Sequence, residues 1–270
     1  MQIAAKTDVG LVRKRNEDFF IIGHDEHLVI LCDGMGGHPG GDLASRMAAE
    51  EVERVATGGA SDVPVGDLEQ HAALRPFANL IRGVFAADLT LRTHGRKNAQ
   101  FHGMGTTLVA VQEHDGILCA AHVGDSRLYC FRDGVLQQLT QDHSYVATLP
   151  ESARASFAGI KNILTRAVGV GEDFEVDFTL SPAAAGETYL LCTDGLHNFV
   201  DESRIVEVLS SESNRARCVD ILVEDAKKGG GGDNITLAVA WIEKPTARPA
   251  ARIHGVVGLT SGGLHAQVAS

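Results

Sequence analysis

The chain has 270 residues, 44% hydrophobic and 22% charged, with a formal net charge of −11. That is enough apolar material for one large domain or two small ones, and the negative charge argues against a nucleic-acid surface, which needs a basic face. No apolar stretch follows a basic start in MQIAAKTDVG, so no signal peptide is read there, and no run approaches the roughly 18 apolar residues of a membrane span.

IAAKTDVG reads as a strand leading into a turn. DFFIIG and HLVILCD read as two more strands, with GHDE as their hairpin. Leu43, Met47, Val52 and Val55 then recur at helical spacing among charges. A Gly/Ser/Asp/Pro break over residues 58–66 precedes a second long helix, expected over about residues 67–93. GTTLVAVQEH, GILCAAHVGD, SRLYCFRDG and VLQQLT read as a meander of strands with hairpin turns. Residues 144–165 read as irregular or briefly helical, in part a mobile flap. FEVDFTL and ETYLLCTDG resume strand character. Helices are expected over 201–211 and 213–228, and NITLAVAWIE closes with an apolar strand. Beyond Lys244 the sequence is rich in Ala, Pro and Gly, so 1–243 reads as the folded domain and 244–270 as a flexible tail. Short hairpins outnumber helical crossovers, which predicts an α+β fold of antiparallel sheets with helices on their outer faces.

The five Cys show no CxxC spacing. They read as buried thiols of a reducing cytosol; Cys32 and Cys192 each lie beside an acidic turn, and a soft-metal site using both is the minor alternative. Two of the apolar runs end in Asp-Gly, at Asp33 and Asp194. Glu17 and Asp18 in RNED and Asp233 in GGDNIT complete a set of five carboxylates. Each Asp-Gly alone is an ordinary turn; the set is what points to chemistry. Two like charges about 4 Å apart repel by about 4 kcal/mol at an effective dielectric near 20. Divalent cations remove that repulsion, and Mg²⁺ or Mn²⁺ suits an all-oxygen shell. A water bridging two such ions is a nucleophile able to attack phosphorus in line. No HExxH pattern invites zinc, and no Cys is followed by five residues and an Arg, so a Cys-phosphate route lacks its anion loop.

In order along the chain stand D-x-G-x-x-R-x-x-NED at 8–18, DGMGGHPGG at 33–41, GTT at 105–107 and VGDSRLY at 123–129. LTQDHS at 139–144, NILTRAVG at 162–169, LCTDG at 191–195 and GGDNIT at 231–236 follow. With these motifs the chain resembles the metal-dependent serine/threonine protein phosphatases of the protein phosphatase 2C (PP2C) type, in their bacterial form. The resemblance implies a four-layer α-β-β-α sandwich with two central antiparallel sheets flanked by helices. It implies that Asp33 bridges two Mn²⁺ or Mg²⁺ ions and that Asp194 and Asp233 complete the first ion's protein ligands. Glu17 and the Gly34 carbonyl would hold the second, Asp18 would orient bound water, and Arg13 would clamp the substrate phosphate. Asn234 adjoins a ligand and is read as orienting it or as a plain turn residue. Phosphorylated proteins are the implied substrates and a serine/threonine kinase the implied opponent, in the cytoplasm.

Two departures stand out. Animal relatives carry His after the Asp-Gly where this chain has Met35, and His38 does not inherit that role by sequence. A third ion in bacterial relatives uses the equivalents of Asp125 and Asp194 with a further Asp, here Asn198, which predicts a weak or empty third site. The alternative is a catalytically weak phosphoprotein-binding regulator of the same fold. Asn198 and Met35 favour it; the intact Arg13, Glu17, Asp33, Asp194 and Asp233 oppose it.

Overall fold

A computed structural model describes residues 1–35, 40–154, 163–171, 174–242, 252–260 and 263–268. The first three strands are β1 (Gln2–Asp8), β2 (Asp18–Ile22) and β3 (Leu28–Asp33), and helix α1 (Gly41–Ala56) follows. Helix α2 covers Ala78–Lys97. It starts later than its apolar pattern predicts because Pro76 sits in a 3₁₀ turn, Arg75–Phe77. Proline lacks an N–H and steers the preceding residue away from helix. Leu68 and Leu74 are buried all the same, as parts of turns.

Strands β4 (Leu108–His114), β5 (Ile117–Val123), β6 (Arg127–Arg132) and β7 (Val135–Gln138) come next. They are not one meander. β4 and β5 belong to one sheet and β6 and β7 to the other, so the link between β5 and β6 changes sheets. Short helices α3 (Tyr145–Thr148) and α4 (Glu151–Arg154) begin the expected flap; its residues 155–162 lie outside the described residues. β8 (Glu175–Pro182), β9 (Thr188–Cys192), α6 (Glu202–Ser211), α7 (Arg215–Lys228) and β10 (Ile235–Trp241) complete the expected elements, and a short helix α5 (Asp194–His197) is an addition to them. The Asn214 side chain caps α7 by accepting from the Arg217 N–H.

The C-terminal expectation is corrected. β11 (Ile253–Thr260) and β12 (Gly263–Val268) form a hairpin, and β11 pairs antiparallel with β8. Val257, Leu264 and Ala266 are buried there. An open strand edge at β8 supplies the hydrogen bonds that local composition does not advertise. Residues 243–251 lie outside the described residues.

The two antiparallel sheets run β1-β10-β9-β6-β7 and β12-β11-β8-β5-β4-β3-β2. Period-2 alternation divides their side chains among three cores. In β3, Leu28, Ile30 and Cys32 pack on the α1–α2 layer, while Val29 and Leu31 face the other sheet. In β9 and β10, Leu190, Cys192, Leu237 and Val239 pack on α6 and α7. Each fully buried Leu or Ile contributes about 1.5–3 kcal/mol. The result is the α-β-β-α sandwich that the motifs imply.

Register sets the site. Asp18 pairs with Asp33, Leu108 with Val123, and Cys192 with both Leu237 and Arg127. The ends of β3, β5 and β9 and the starts of β2, β4, β6 and β10 therefore share one end of the sandwich.

Candidate metal centre

At that end the alternation carries Asp18 and Asp33 onto the face their sheet turns toward the other, continuing the inward row of Phe20, Val29 and Leu31. Asp194 follows β9 and Asp233 precedes β10 on the opposite sheet. The carboxylates thus approach from both sheets. Arg13, Glu17, Asp33, Asp125, Asp194 and Asp233 line one cleft of about 350 Å³, with Gly34 and Met35 on its wall. The Asp33 carboxyl is within hydrogen-bonding reach of both Asp18 and Asp194. Asn198 lies behind, its Nδ2 donating to Asp194 Oδ2 at 3.1 Å.

Crowding like charges out of water raises their pKa values. Burial holds Asp33 well above the ordinary carboxylate range, and the charges of Asp18, Asp194, Asp125 and Asp233 add to it. Burial also pushes Asp18 up to about 7, against the hydroxyls of Thr236 and Thr193. Asp125 rises to about 7 through burial and the Asp194 charge. Asp194 rises to about 6 through burial and Asp233, with Arg13 opposing. Glu17 is raised by burial and eased by Arg13.

Asp18 Oδ1 and Asp194 Oδ1 are buried with no hydrogen-bond partner among the described residues. Orphaned buried carboxylate oxygens are costly. A donor set made only of oxygen, with two oxygens unpaired, fits hard divalent cations. Cys32 and Cys192 do not offer a soft alternative. They pack on opposite outer faces of the sandwich, and burial raises both thiols far above their usual range.

The supporting loops are tied down by residues with small roles in the sequence reading. Asn234 Oδ1 accepts from the Glu17 N–H at 2.8 Å, and its Nδ2 donates to the Val9 and Arg15 carbonyls at 3.0 and 2.9 Å. The Asn234 side chain thus ties down the segment that carries Arg13 and Glu17. Thr106 Oγ1 donates to the Asp33 carbonyl at 2.8 Å, and the Asp33 N–H donates to Thr107 Oγ1 at 3.1 Å. A Cβ on Gly34 would lie 2.2 Å from the Gly41 carbonyl oxygen, so only glycine lets α1 approach this turn. Thr193, inside the LCTDG motif, and His197, just beyond it, also touch the cluster. Thr193 Oγ1 donates to Asp18 Oδ2 at 3.0 Å, and His197 Nε2 lies 3.1 Å from the Asp125 carbonyl oxygen. Polar residues flanking the Asp of LCTDG were the available signal. Arg13 Nη2 donates to Asp233 Oδ2 at 2.7 Å. Its guanidinium is thus engaged with a carboxylate of the cluster, a pairing that motif spacing does not reveal. His38 lies outside the described residues.

A family model for protein phosphatase 2C matches residues 13–222. The chain belongs to that family. It is 36% identical over 245 residues to the serine/threonine protein phosphatase PstP of Mycobacterium tuberculosis, covering 89% of this chain and 45% of PstP. The chain therefore spans about half the length of that relative. It is 34% identical to the serine/threonine phosphatase Stp of Listeria monocytogenes, covering 88% of this chain and 94% of Stp. A solved PstP catalytic domain in complex with two manganese ions superposes with a TM-score of 0.76 at 34% identity, covering 90% of this chain and 98% of that one. No helix among the described residues is long and apolar enough to cross a membrane.

Proposed function

We propose that this chain hydrolyses phosphoserine and phosphothreonine in proteins, using two Mn²⁺ or Mg²⁺ ions held in the cleft. The observation that carries this reading is the meeting of Asp33, Asp194 and Asp233 from both sheets around unpaired carboxylate oxygens. The PstP domain with two manganese ions supports the metal assignment. Asp33, Asp194 and Asp233 would hold one ion and Glu17, the Gly34 carbonyl and Asp33 the other, all of them lining the cleft. Once bound, such ions would lower the pKa of a coordinated water and offset charge on the phosphoryl oxygens. Asp18, anchored by Thr193, orients water beside Asp33. Arg13 receives the substrate phosphate, leaving Asp233 to do so; its 39% side-chain exposure gives it that freedom. Asn198 turns an N–H toward Asp194, which supports a weak third site with Asp125.

A serine/threonine kinase is the opposing activity. Five free, buried thiols fit a reducing cytoplasm. The test is release of phosphate from a phosphothreonine peptide with and without Mn²⁺. Activity that requires Mn²⁺ and disappears in Asp33→Ala supports the reading; turnover equal to that control rejects it. Binding of phosphopeptide without release would instead mark a regulator.

A further inference from the structure

Beside the carboxylate cleft, His122, His143 and Asp177 bring three donor atoms within 4.8 Å of one another. Their proton placement argues against a cation there. The Gly124 N–H donates to His143 Nδ1 at 3.1 Å, so that nitrogen carries no proton. Its Nε2 lies 3.1 Å from Asp177 Oδ2. A cation on Nε2 would force the proton to Nδ1, head-on against the Gly124 N–H. Metal-bound histidines instead turn their second N–H to an acceptor.

The same contacts make a clamp. The His143 backbone N–H donates to the Gly124 carbonyl at 2.8 Å, so the residue grips Gly124 through ring and main chain. Its own carbonyl accepts from the Thr165 N–H at 2.8 Å. Asp125 follows Gly124, and Ile163 and Leu164 precede Thr165; all three line the cleft. His143 thus touches the supports of two facing walls. The ring is held from behind. Asp177 Oδ1 accepts from Arg166 Nη1 at 2.7 Å, and the His122 ring packs against His143 at 4.6 Å between centroids. Gly124 itself has φ +109°, a conformation open to glycine.

We propose that His143, backed by Asp177 and Arg166, is a positioning residue that fixes the Gly124–Asp125 turn against residues 163–165 and so sets where the Asp125 carboxylate sits in the cleft. The inference rests on the reading of the cleft as the reaction site, yet its test needs no turnover.

Amide hydrogen exchange is measured by NMR on the full metal-free chain, for the wild type, His143→Ala and His143→Asn. Asparagine keeps an acceptor near the Nδ1 position; alanine keeps none. In His143→Ala, exchange at Gly124, Asp125 and Ser126 rises about tenfold or more while α7 amides are unchanged. In His143→Asn it returns to within about threefold of wild type. Unchanged exchange at 124–126 in the alanine variant overturns the proposal, as does an asparagine variant no better than alanine or an equal loosening of α7. Should the alanine variant not fold, Asp177→Asn is measured in its place. Faster exchange confined to 124–126 supports the clamp, and unchanged exchange overturns it. A wild-type chain without phosphatase activity would sink the cleft reading and leave the exchange pattern standing.

Discussion

Asp33 is the residue on which the cluster turns. It accumulates the repulsion of four other carboxylates in a half-buried position, so its charge is costly without a counter-cation. Asp33→Asn is expected to raise the melting temperature of the metal-free protein and to erase the increment that Mn²⁺ adds, read by thermal denaturation with and without the metal. Activity in the same variant should fall by at least about 10²–10³-fold, the usual cost of removing a main electrostatic element. Asn234 is the structural counterpart. Its amide serves three backbone groups of the segment that carries Arg13 and Glu17. Asn234→Ala leaves those groups unpaired, at about 1–3 kcal/mol for each one that stays buried. Urea unfolding should show a loss of about 2 kcal/mol or more, and the apparent Mn²⁺ affinity should weaken alongside.

At the scale of elements, the C-terminal hairpin shields the β8 edge. Asp67 holds it from the turns between α1 and α2, accepting from the Ala266 N–H at 3.1 Å and meeting His265 Nδ1 at 2.5 Å. Removing residues 252–270 bares that edge and the apolar contacts of Val257 and Leu264. The shortened chain is expected to melt lower and to self-associate, which size-exclusion chromatography resolves; an unchanged monomer with an unchanged melting point would refute this. The hairpin was illegible beforehand because IHGVVGLT mixes glycines into a short apolar run and owes its strand state to β8. The β5–β6 link failed for a related reason. VGDSR looks like a hairpin corner, yet the chain crosses there to the other sheet, with Gly124 at φ +109° close against Thr107. By contrast, Asp33 and Asp194 were legible at once. Asp33 directly ends the apolar run LVILC, and Asp194 stands one Thr beyond YLLC, where a carboxylate can leave the core. The Arg13–Asp233 pair joins residues far apart in sequence and left no local trace.

For the molecule as a whole, the cluster dictates how stability follows pH. Asp18 and Asp125 titrate near 7 and Asp194 near 6 in the folded state, against an ordinary 3.8. Between those limits the folded protein binds more protons than the unfolded chain. Its stability therefore falls as pH rises from about 4 to about 7, and the raised Asp33 acts in the same direction. The summed effect is on the order of several kcal/mol. Denaturant titrations of metal-free protein at pH 5 and pH 7.5 should show this order, and saturating Mn²⁺ should shrink or invert it. A metal-free protein more stable at pH 7.5 would contradict the clustering.

Because the acidic groups are shared between both sheets, filling the cleft also stitches the two halves of the sandwich together at their open end. Chelation should then work like unbuttoning a collar. Limited proteolysis in EDTA is expected to begin in the 9–17 loop and the 124–126 turn, long before the helical flanks give way.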